Sequence, residues 1–188
     1  VIHIDDDGLV IKQYDSGLNL RMPDPVDRFR RFFNAPEKCS PVFGLIRTDI
    51  LRRTGLIGSY IASDRILLGE LALHGKLYEV PEALFMRRIH ALISTMANRK
   101  KRDLAAWFDP KDAHRFLYPT WKMLFEYLRA IRQAPLTAQQ KRQCRAVVIG
   151  YFFPPRKIPY MLKELARAGV MLPATAGVSG VKRLFGTA

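Results

Sequence analysis

The sequence predicts an α/β chain whose front half mixes strands with short helices and whose back half is helical and basic. Three patterns predict this class. The chain begins with a β-hairpin signal, and a helix with clear start and stop residues lies between strand-like runs. After residue 118, helical patterns follow one another, separated by prolines. We therefore divide the chain into a mixed part, residues 1–98, and a helical basic part, residues 99–188.

Residues 1–14 alternate apolar and polar side chains around Asp7 and Gly8. An Asp-Gly pair between two β-prone runs is a strong hairpin signal. The three consecutive aspartates at 5–7 are also candidates for a metal site. Because consecutive strand side chains alternate between faces, these carboxylates converge poorly on one ion, and the pattern favours turn chemistry.

The next pattern predicts a helix with Asp24 as its N-cap and Pro25 at its first position. Phenylalanines at spacings of three and four form its apolar side: Phe29, Phe32 and Phe33. Arginines cover the rest of its surface: Arg28, Arg30 and Arg31. Beyond it the apolar runs and turn residues predict a buried strand at 41–47, a helix at 48–55, and strands at 76–81 and 83–90.

A further helix is predicted at residues 63–74, capped by Ser63 or Asp64 and closed by Gly75 in the left-handed conformation. Its buried side is expected to hold Ile66, Leu67, Leu71 and Leu73. In the back half, the charge run at 98–102 is typical of a solvated helix face, and the last residues form a loose tail. Helical patterns lie at 119–133, 137–153 and 155–169.

Lysine and arginine number 31 against 17 acidic residues, a net charge of +14 that suits a polyanionic partner such as nucleic acid or an anionic membrane surface. Two cysteines, Cys39 and Cys144, have no metal-ligand spacing and indicate reduced thiols in a cytoplasmic protein. No apolar run reaches the roughly 18 residues that span a bilayer. The chain starts at Val1, inside a strand pattern, so we expect it to be a piece of a longer protein.

Two residues raise the question of an active site. Asp64 is either a helix cap favoured by the dipole or a general base held by a rigid element. His90, with Arg88 on the same strand face, either receives a phosphate or a metal ion or is an ordinary strand end. No P-loop, GxGxxG or serine-triad signature is present.

The stretch from Cys39 to Thr95 resembles the family 2 glycosyltransferases, which are inverting enzymes of the Rossmann-like GT-A fold. The ordered pieces that carry the resemblance are Phe43-Gly44, Leu56-Ile57-Gly58, Ser63-Asp64, Gly75, Val80-Pro81-Glu82, Arg88-Ile89-His90 and Ser94. The opening hairpin also looks like the one that follows the metal-site strand of such enzymes. The resemblance implies that residues 1–98 are the acceptor-side half of a GT-A domain and that the helical C-terminal region is an extension.

The resemblance further implies a reaction. Asp64 would deprotonate an acceptor hydroxyl that attacks the anomeric carbon of a nucleotide-sugar donor. Arg88 and His90, with Ser63 and Ser94, would bind substrate near the donor diphosphate, and His90 would also be a ligand of a divalent metal, Mg²⁺ or Mn²⁺. The acceptor would be a glycan or a lipid-linked molecule, reached from the cytoplasm or from the inner face of the membrane.

The sequence departs from the family in two places. Ser63 stands where the family has the first acid of a pair, and the family's nucleotide-binding strands and DxD motif would lie before Val1. We therefore expect the full-length parent to be the enzyme. The alternatives are a non-catalytic basic module for nucleic acid or an anionic membrane, although nothing beyond charge favours nucleic acid, and a structural scaffold.

Overall fold

The computed structural model describes residues 1–14, 17–35, 39–90, 107–108 and 119–169. Its strands are β1 (Ile2–Ile4), β2 (Val10–Gln13) and β3 (Met86–Arg88). Its α-helices are α1 (Pro25–Asn34), α2 (Thr48–Leu51), α3 (Ser63–His74), α4 (Pro119–Gln133), α5 (Ala138–Phe152) and α6 (Ile158–Gly169). The mixed α/β class predicted from the sequence is confirmed.

The three strands form one small mixed sheet with β1 in its centre. β1 pairs with β2 in antiparallel fashion and with β3 in parallel. The predicted hairpin is confirmed, and its turn is closed by Asp5, whose Oδ1 accepts hydrogen bonds from the backbone N–H groups of Asp7 (3.0 Å) and Leu9 (2.8 Å). Gly8 has φ +86°, in the left-handed region that glycine enters without steric cost.

The hydrophobic core is formed by helices. α1 and α3 pack on each other, α4 packs on α3, and α5 packs on both α1 and α4. Phe29 and Phe32 of α1 and Tyr127 of α4 are fully buried, and each phenylalanine contacts Tyr127 in an edge-to-face arrangement. The side chains of the front and back halves therefore meet in one continuous apolar cluster.

The first helix is the element that local signals predicted best. Asp24 caps α1 by accepting a hydrogen bond from the Val26 N–H at 2.9 Å, and Pro25 occupies the first position. The three phenylalanines are buried as expected. The prediction that Arg28 lies on the outer surface is wrong, because its guanidinium turns inward to bond backbone carbonyls and only 6% of the residue is exposed.

Two strand predictions are wrong. Residues 40–43 form a short 3₁₀ helix with Pro41 in its first turn, and Leu45 beyond it is fully exposed. Residues 76–81 make a single bridge, between Leu77 and Leu20. Both segments are apolar in sequence, yet neither finds a strand partner long enough to build a ladder. The strand predicted at 83–90 forms only as the shorter β3, so His90 lies beyond its end.

The caps predicted for α3 are also wrong, although the helix itself is confirmed. Its N-cap is Ala62, in the left-handed conformation at φ +65° and without a side-chain cap. Gly75 is extended instead of left-handed. All four predicted core residues of α3 are buried. α2 begins at Thr48 as predicted but ends at Leu51, after one turn.

The three back-half helices lie where their patterns predicted them, as α4, α5 and α6. Across the described part of the chain, none of the helices combines the length and the apolarity needed to cross a bilayer. Cys39 and Cys144 are both free thiols, as expected. The charge run at 98–102, the proposed boundary at residue 98 and the tail after residue 169 lie outside the described residues.

Candidate active site

The site predicted from the sequence is built on α3, a helix that is buried on all sides. Ten of its residues, from Ser63 to Leu73, are buried, and the exception within that run is Asp64, which is half-buried. A helix enclosed by α1, α4 and the preceding loop has little freedom to shift. Its first turn is therefore a rigid base for a functional side chain.

Asp64 is held in place by its own helix. Its Oδ1 accepts a hydrogen bond from the Arg65 N–H at 2.8 Å. Among the described residues, no donor or cation engages its Oδ2. The carboxylate is thus oriented through one oxygen while the other can meet a group arriving from outside.

The neighbouring Ser63 lies in the interior. Only 1% of the residue is exposed, and its Oγ has no hydrogen-bond partner in the described structure. The sequence placed Ser63 beside the substrate, whereas the structure places it beneath the surface that Asp64 occupies. A substrate would reach its hydroxyl only through a movement of the loop that precedes α3.

The residues predicted to bind the diphosphate lie on another element. Arg88, the last residue of β3, donates through Nη1 to the carbonyl oxygens of Asp5 (2.9 Å) and Asp6. His90 follows two residues later and is half-buried. Neither residue is joined to Asp64 by a hydrogen bond or an ion pair. Ser94 lies outside the described residues.

The described residues do not supply a ligand set for a divalent cation. In the part of the chain that the structure describes, no three or more His, Cys, Asp or Glu side chains are placed so that they could hold a metal ion. Asp5 uses its carboxylate to close the hairpin turn, as the turn interpretation of 5–7 predicted. His90 could contribute one ligand, but two further donors beside it are missing from the described set, so we derive no chemical step through a metal.

The structure reveals a polar cluster beside α3 that sequence reasoning missed. Glu70 of α3 accepts a hydrogen bond from the Gly55 N–H at 2.8 Å. Glu126 of α4 forms ion pairs with Arg129 at 2.7 Å and with Lys122 at 2.7 Å. Arg129 also lies against the backbone of Gly55, where an added Cβ would be 2.4 Å from Nη2. The cluster therefore ties the loop before α3 to both α3 and α4.

Burial dominates the electrostatics of this polar cluster. It raises the pKa of Glu70, an effect that the Gly55 N–H and the charge of Arg129 oppose. It also raises the pKa of Tyr60, and the nearby negative charges of Glu126 and Glu70 add to that effect. Tyr60 therefore stays protonated at neutral pH and can donate a hydrogen bond.

The loop that the polar cluster holds has an unusual backbone. Leu56 and Ala62 both adopt the left-handed conformation, with φ of +57° and +65°, which costs a residue with a side chain roughly 1–2 kcal/mol. Tyr127 adds a further contact, because its hydroxyl donates to the Arg65 carbonyl at 3.2 Å. Together these interactions set the position at which α3 starts, and hence the position of Asp64.

No sequence signal identified the polar cluster, although the spacing of its residues on α4 could be read from the sequence. Glu126 lies three residues before Arg129 and four after Lys122, spacings that place all three on one side of a helix. Such a set normally faces solvent. Only the packing of α4 on α3 turns Glu126 inward, leaving 8% of it exposed.

A separate pocket of about 350 Å³ lies at the edge of the sheet. Val1, Gln13 and Tyr14 line one side of it, and residues 79–83 line the other. None of the predicted site residues borders this pocket, so it gives no support to the predicted chemistry.

The chain matches no protein-family profile, no curated protein and no solved structure. The likeness to family 2 glycosyltransferases therefore rests on the ordered pieces of sequence between Cys39 and Thr95.

Proposed function

We propose that this chain is the acceptor-side part of an inverting, nucleotide-sugar-dependent glycosyltransferase with a GT-A-like fold, in which Asp64 is the general base. The observation that carries the proposal is the contrast between Asp64 and the rest of α3. In a helix whose other side chains from Ser63 to Leu73 are buried, this carboxylate alone reaches the surface.

The chemistry requires a rigid carboxylate with an open oxygen. An acceptor hydroxyl is a poor nucleophile until a base removes its proton in the transition state. Oδ2 of Asp64 takes that proton as the hydroxyl oxygen bonds to the anomeric carbon. The bond from that carbon to the diphosphate breaks on the opposite face, and the electron pair leaves with the nucleoside diphosphate. The configuration of the sugar is inverted.

Other residues of the chain act around this step. The polar cluster of Glu70, Glu126 and Arg129 fixes the loop before α3 and is therefore a positioning device for Asp64. Arg88 brings a positive charge to the end of β3, and a cation there offsets the charge that develops on the departing diphosphate. The expected Mg²⁺ or Mn²⁺ would serve the same purpose, but the described residues assign it no ligand set.

The test is the substitution Asp64→Asn in the full-length protein. We expect release of nucleoside diphosphate in the presence of acceptor to fall by about 10²–10⁴-fold, because a positioned base contributes rate enhancement of that order. Donor binding, measured by calorimetry with a panel of nucleotide sugars, should remain within about twofold, since the lost interaction arises in the transition state.

Asp49→Asn is the matched control, because Asp49 is an exposed aspartate in the first turn of α2. It should keep full turnover. Turnover that survives Asp64→Asn would remove Asp64 from its role, and a full-length protein that turns over no nucleotide sugar would overturn the proposed function.

A further inference from the structure

The last described helix, α6, has an apolar face wider than the fold covers. Met161 and Glu164 point inward and are buried. Ile158, Leu162 and Leu165, spaced by four and three residues, form a second stripe that is 39%, 58% and 42% exposed. A helix that packed only on its own fold would carry polar residues at these positions.

The stripe is held outward because the other side of α6 is fastened to α4. Trp121 donates from Nε1 to the Met161 carbonyl at 3.1 Å, and Thr120 donates to Glu164 Oε1 at 3.0 Å. The rings of Phe125 and Phe153, both partly exposed, stand 6.2 and 6.1 Å from the Trp121 ring. Aromatic side chains therefore border the anchored side of α6.

The exposed charges of α5, of α6 and of the chain between them are of one sign. Between Ala138 and Gly169 the sequence has a single acidic residue, Glu164, and it is buried. Four cationic side chains in this stretch are exposed and form no ion pair with any described residue: Arg142, Arg145, Arg156 and Lys163. Lys163 follows Leu162 on α6, and Arg156 lies two residues before Ile158, so these two cations belong to the same segment as the stripe. Apolar residues next to such cations suit a surface that is anionic outside and apolar beneath.

We infer that this surface, comprising the stripe Ile158, Leu162 and Leu165 with Arg156 and Lys163 of the same segment, docks on an anionic lipid bilayer. α6 lies in the plane of the interface, its stripe enters the boundary between headgroups and acyl chains, and Arg156 and Lys163 meet the lipid phosphates. A nucleic acid would use the charges but would leave the aliphatic stripe in water. The inference does not depend on the proposed sugar transfer.

The test is co-sedimentation of the full-length protein with vesicles of phosphatidylcholine, with and without phosphatidylglycerol. We expect binding to the anionic vesicles that weakens as salt is added. The double variant Leu162→Ser, Leu165→Ser should lower the affinity at least about tenfold, because two aliphatic side chains no longer enter the bilayer. Lys163→Gln should lower it by about fivefold, the effect of roughly one cation near such a surface.

Matched controls distinguish binding through this surface from non-specific adsorption of the protein to vesicles. Leu45 is fully exposed and Lys12 is exposed on β2, so Leu45→Ser and Lys12→Gln should leave vesicle binding within about twofold, less than the effect of one interfacial cation. Helical content of every variant is checked by circular dichroism. Asp64→Asn should bind vesicles normally, which keeps this test independent of the catalytic one.

Three results would overturn the inference. The first is no binding to anionic vesicles at low salt. The second is equal loss of binding in the Leu45→Ser control and the stripe variant. The third is binding that double-stranded DNA competes away while the stripe variant binds normally, which would identify a general polyanion site.

Discussion

Arg28 Nε donates a hydrogen bond to the carbonyl oxygen of Ala72 at 2.9 Å, joining α1 to the C-terminal turn of α3. Carbonyls in the last turn of a helix lack intrahelical partners, and Arg28 supplies one. Its Nη1 also donates to the carbonyls of Met22 (2.9 Å) and Pro23 (2.7 Å). Burial lowers the pKa of Arg28, an effect that the charge of Asp24 opposes. One guanidinium thus connects the chain before α1, α1 itself and α3.

We expect Arg28→Lys to lower the free energy of unfolding by about 3 kcal/mol. A lysine cannot reproduce the planar fork that serves three carbonyls, and buried acceptors without donors are costly. Urea titration followed by circular dichroism measures the effect. Arg31→Lys, on the exposed side of α1, should change stability by less than about 0.5 kcal/mol, and equal losses in the two variants would contradict the role given to Arg28.

At Gly69, α3 lies close against the aromatic core. A Cβ at Gly69 would lie 2.6 Å from Tyr127 Cε1 and 3.1 Å from Phe32 Cε1. Since both rings are fully buried, they cannot move away freely. We expect Gly69→Ala to destabilise the fold by about 1–2 kcal/mol, the cost of overpacking less the better helix propensity of alanine.

Gly150 provides the comparison for this substitution. It is exposed on α5, and an added Cβ would meet no atom within 4 Å. Gly150→Ala should therefore stabilise the protein by up to about 1 kcal/mol. Thermal unfolding of both variants checks the pair, and a stabilised Gly69→Ala protein would show that α3 and α4 are packed less closely than described.

Glu70 should make stability depend on pH in the acidic range. Because burial raises the pKa of Glu70 above 4.5, the folded state binds its proton more tightly than the unfolded state does. The contribution of Glu70 is therefore most favourable below the unfolded pKa and is lost as the pH rises from there through the folded pKa.

Glu70→Gln removes this titration while keeping an oxygen that can accept from the Gly55 N–H. We expect the variant to gain stability relative to the native protein at pH 7 and to show no such gain near pH 4. Urea unfolding at both pH values measures the difference, with exposed Glu82→Gln as the control. A variant less stable than the native protein at pH 7 would mean that the charge of Arg129 outweighs burial.

The two free cysteines should differ in reactivity. Burial, helped by the charge of Asp24 and opposed by that of Arg30, raises the pKa of Cys144 to about 11. At pH 8, only about one in a thousand Cys144 side chains is then a thiolate, which is the form that reacts. Cys39 is half-buried. We expect a maleimide reagent to label Cys39 quickly and Cys144 only after unfolding in urea, which Cys39→Ser and Cys144→Ser variants resolve by mass spectrometry.

Local signals predicted the elements whose hydrogen bonds are local. Asp24 and Pro25 start α1 because a carboxylate can reach a free N–H two residues away. The hairpin forms for a similar local reason: Gly8 of the Asp-Gly pair adopts the positive φ of the turn, and Asp5 accepts hydrogen bonds from residues two and four positions on. The strand predicted at 41–47 failed, since an apolar run does not say whether another segment will cover it, and Leu45 is uncovered.

In the candidate site, too, some features follow from the local sequence and others only from tertiary packing. Asp64 at the first turn of α3 was visible in the sequence as an acid at a helix start. Its exposure on an otherwise buried helix, the interior position of Ser63 and the contact of Glu70 with Gly55 were not visible. Each of these depends on which face of α4 and which turn of the preceding loop pack against α3.

By itself, the sequence determined the mixed class, the opening hairpin, the positions of the six α-helices that the structure describes and the excess of positive charge, because these follow from neighbouring residues and from composition. The tertiary structure alone decided that Arg28 turns inward, that Arg129, paired with Glu126, lies against Gly55 in the loop before α3, and that α6 keeps an apolar stripe in solvent. Those outcomes require contacts between segments far apart in the chain, and side-chain periodicity within one element does not specify which of its neighbours will cover it.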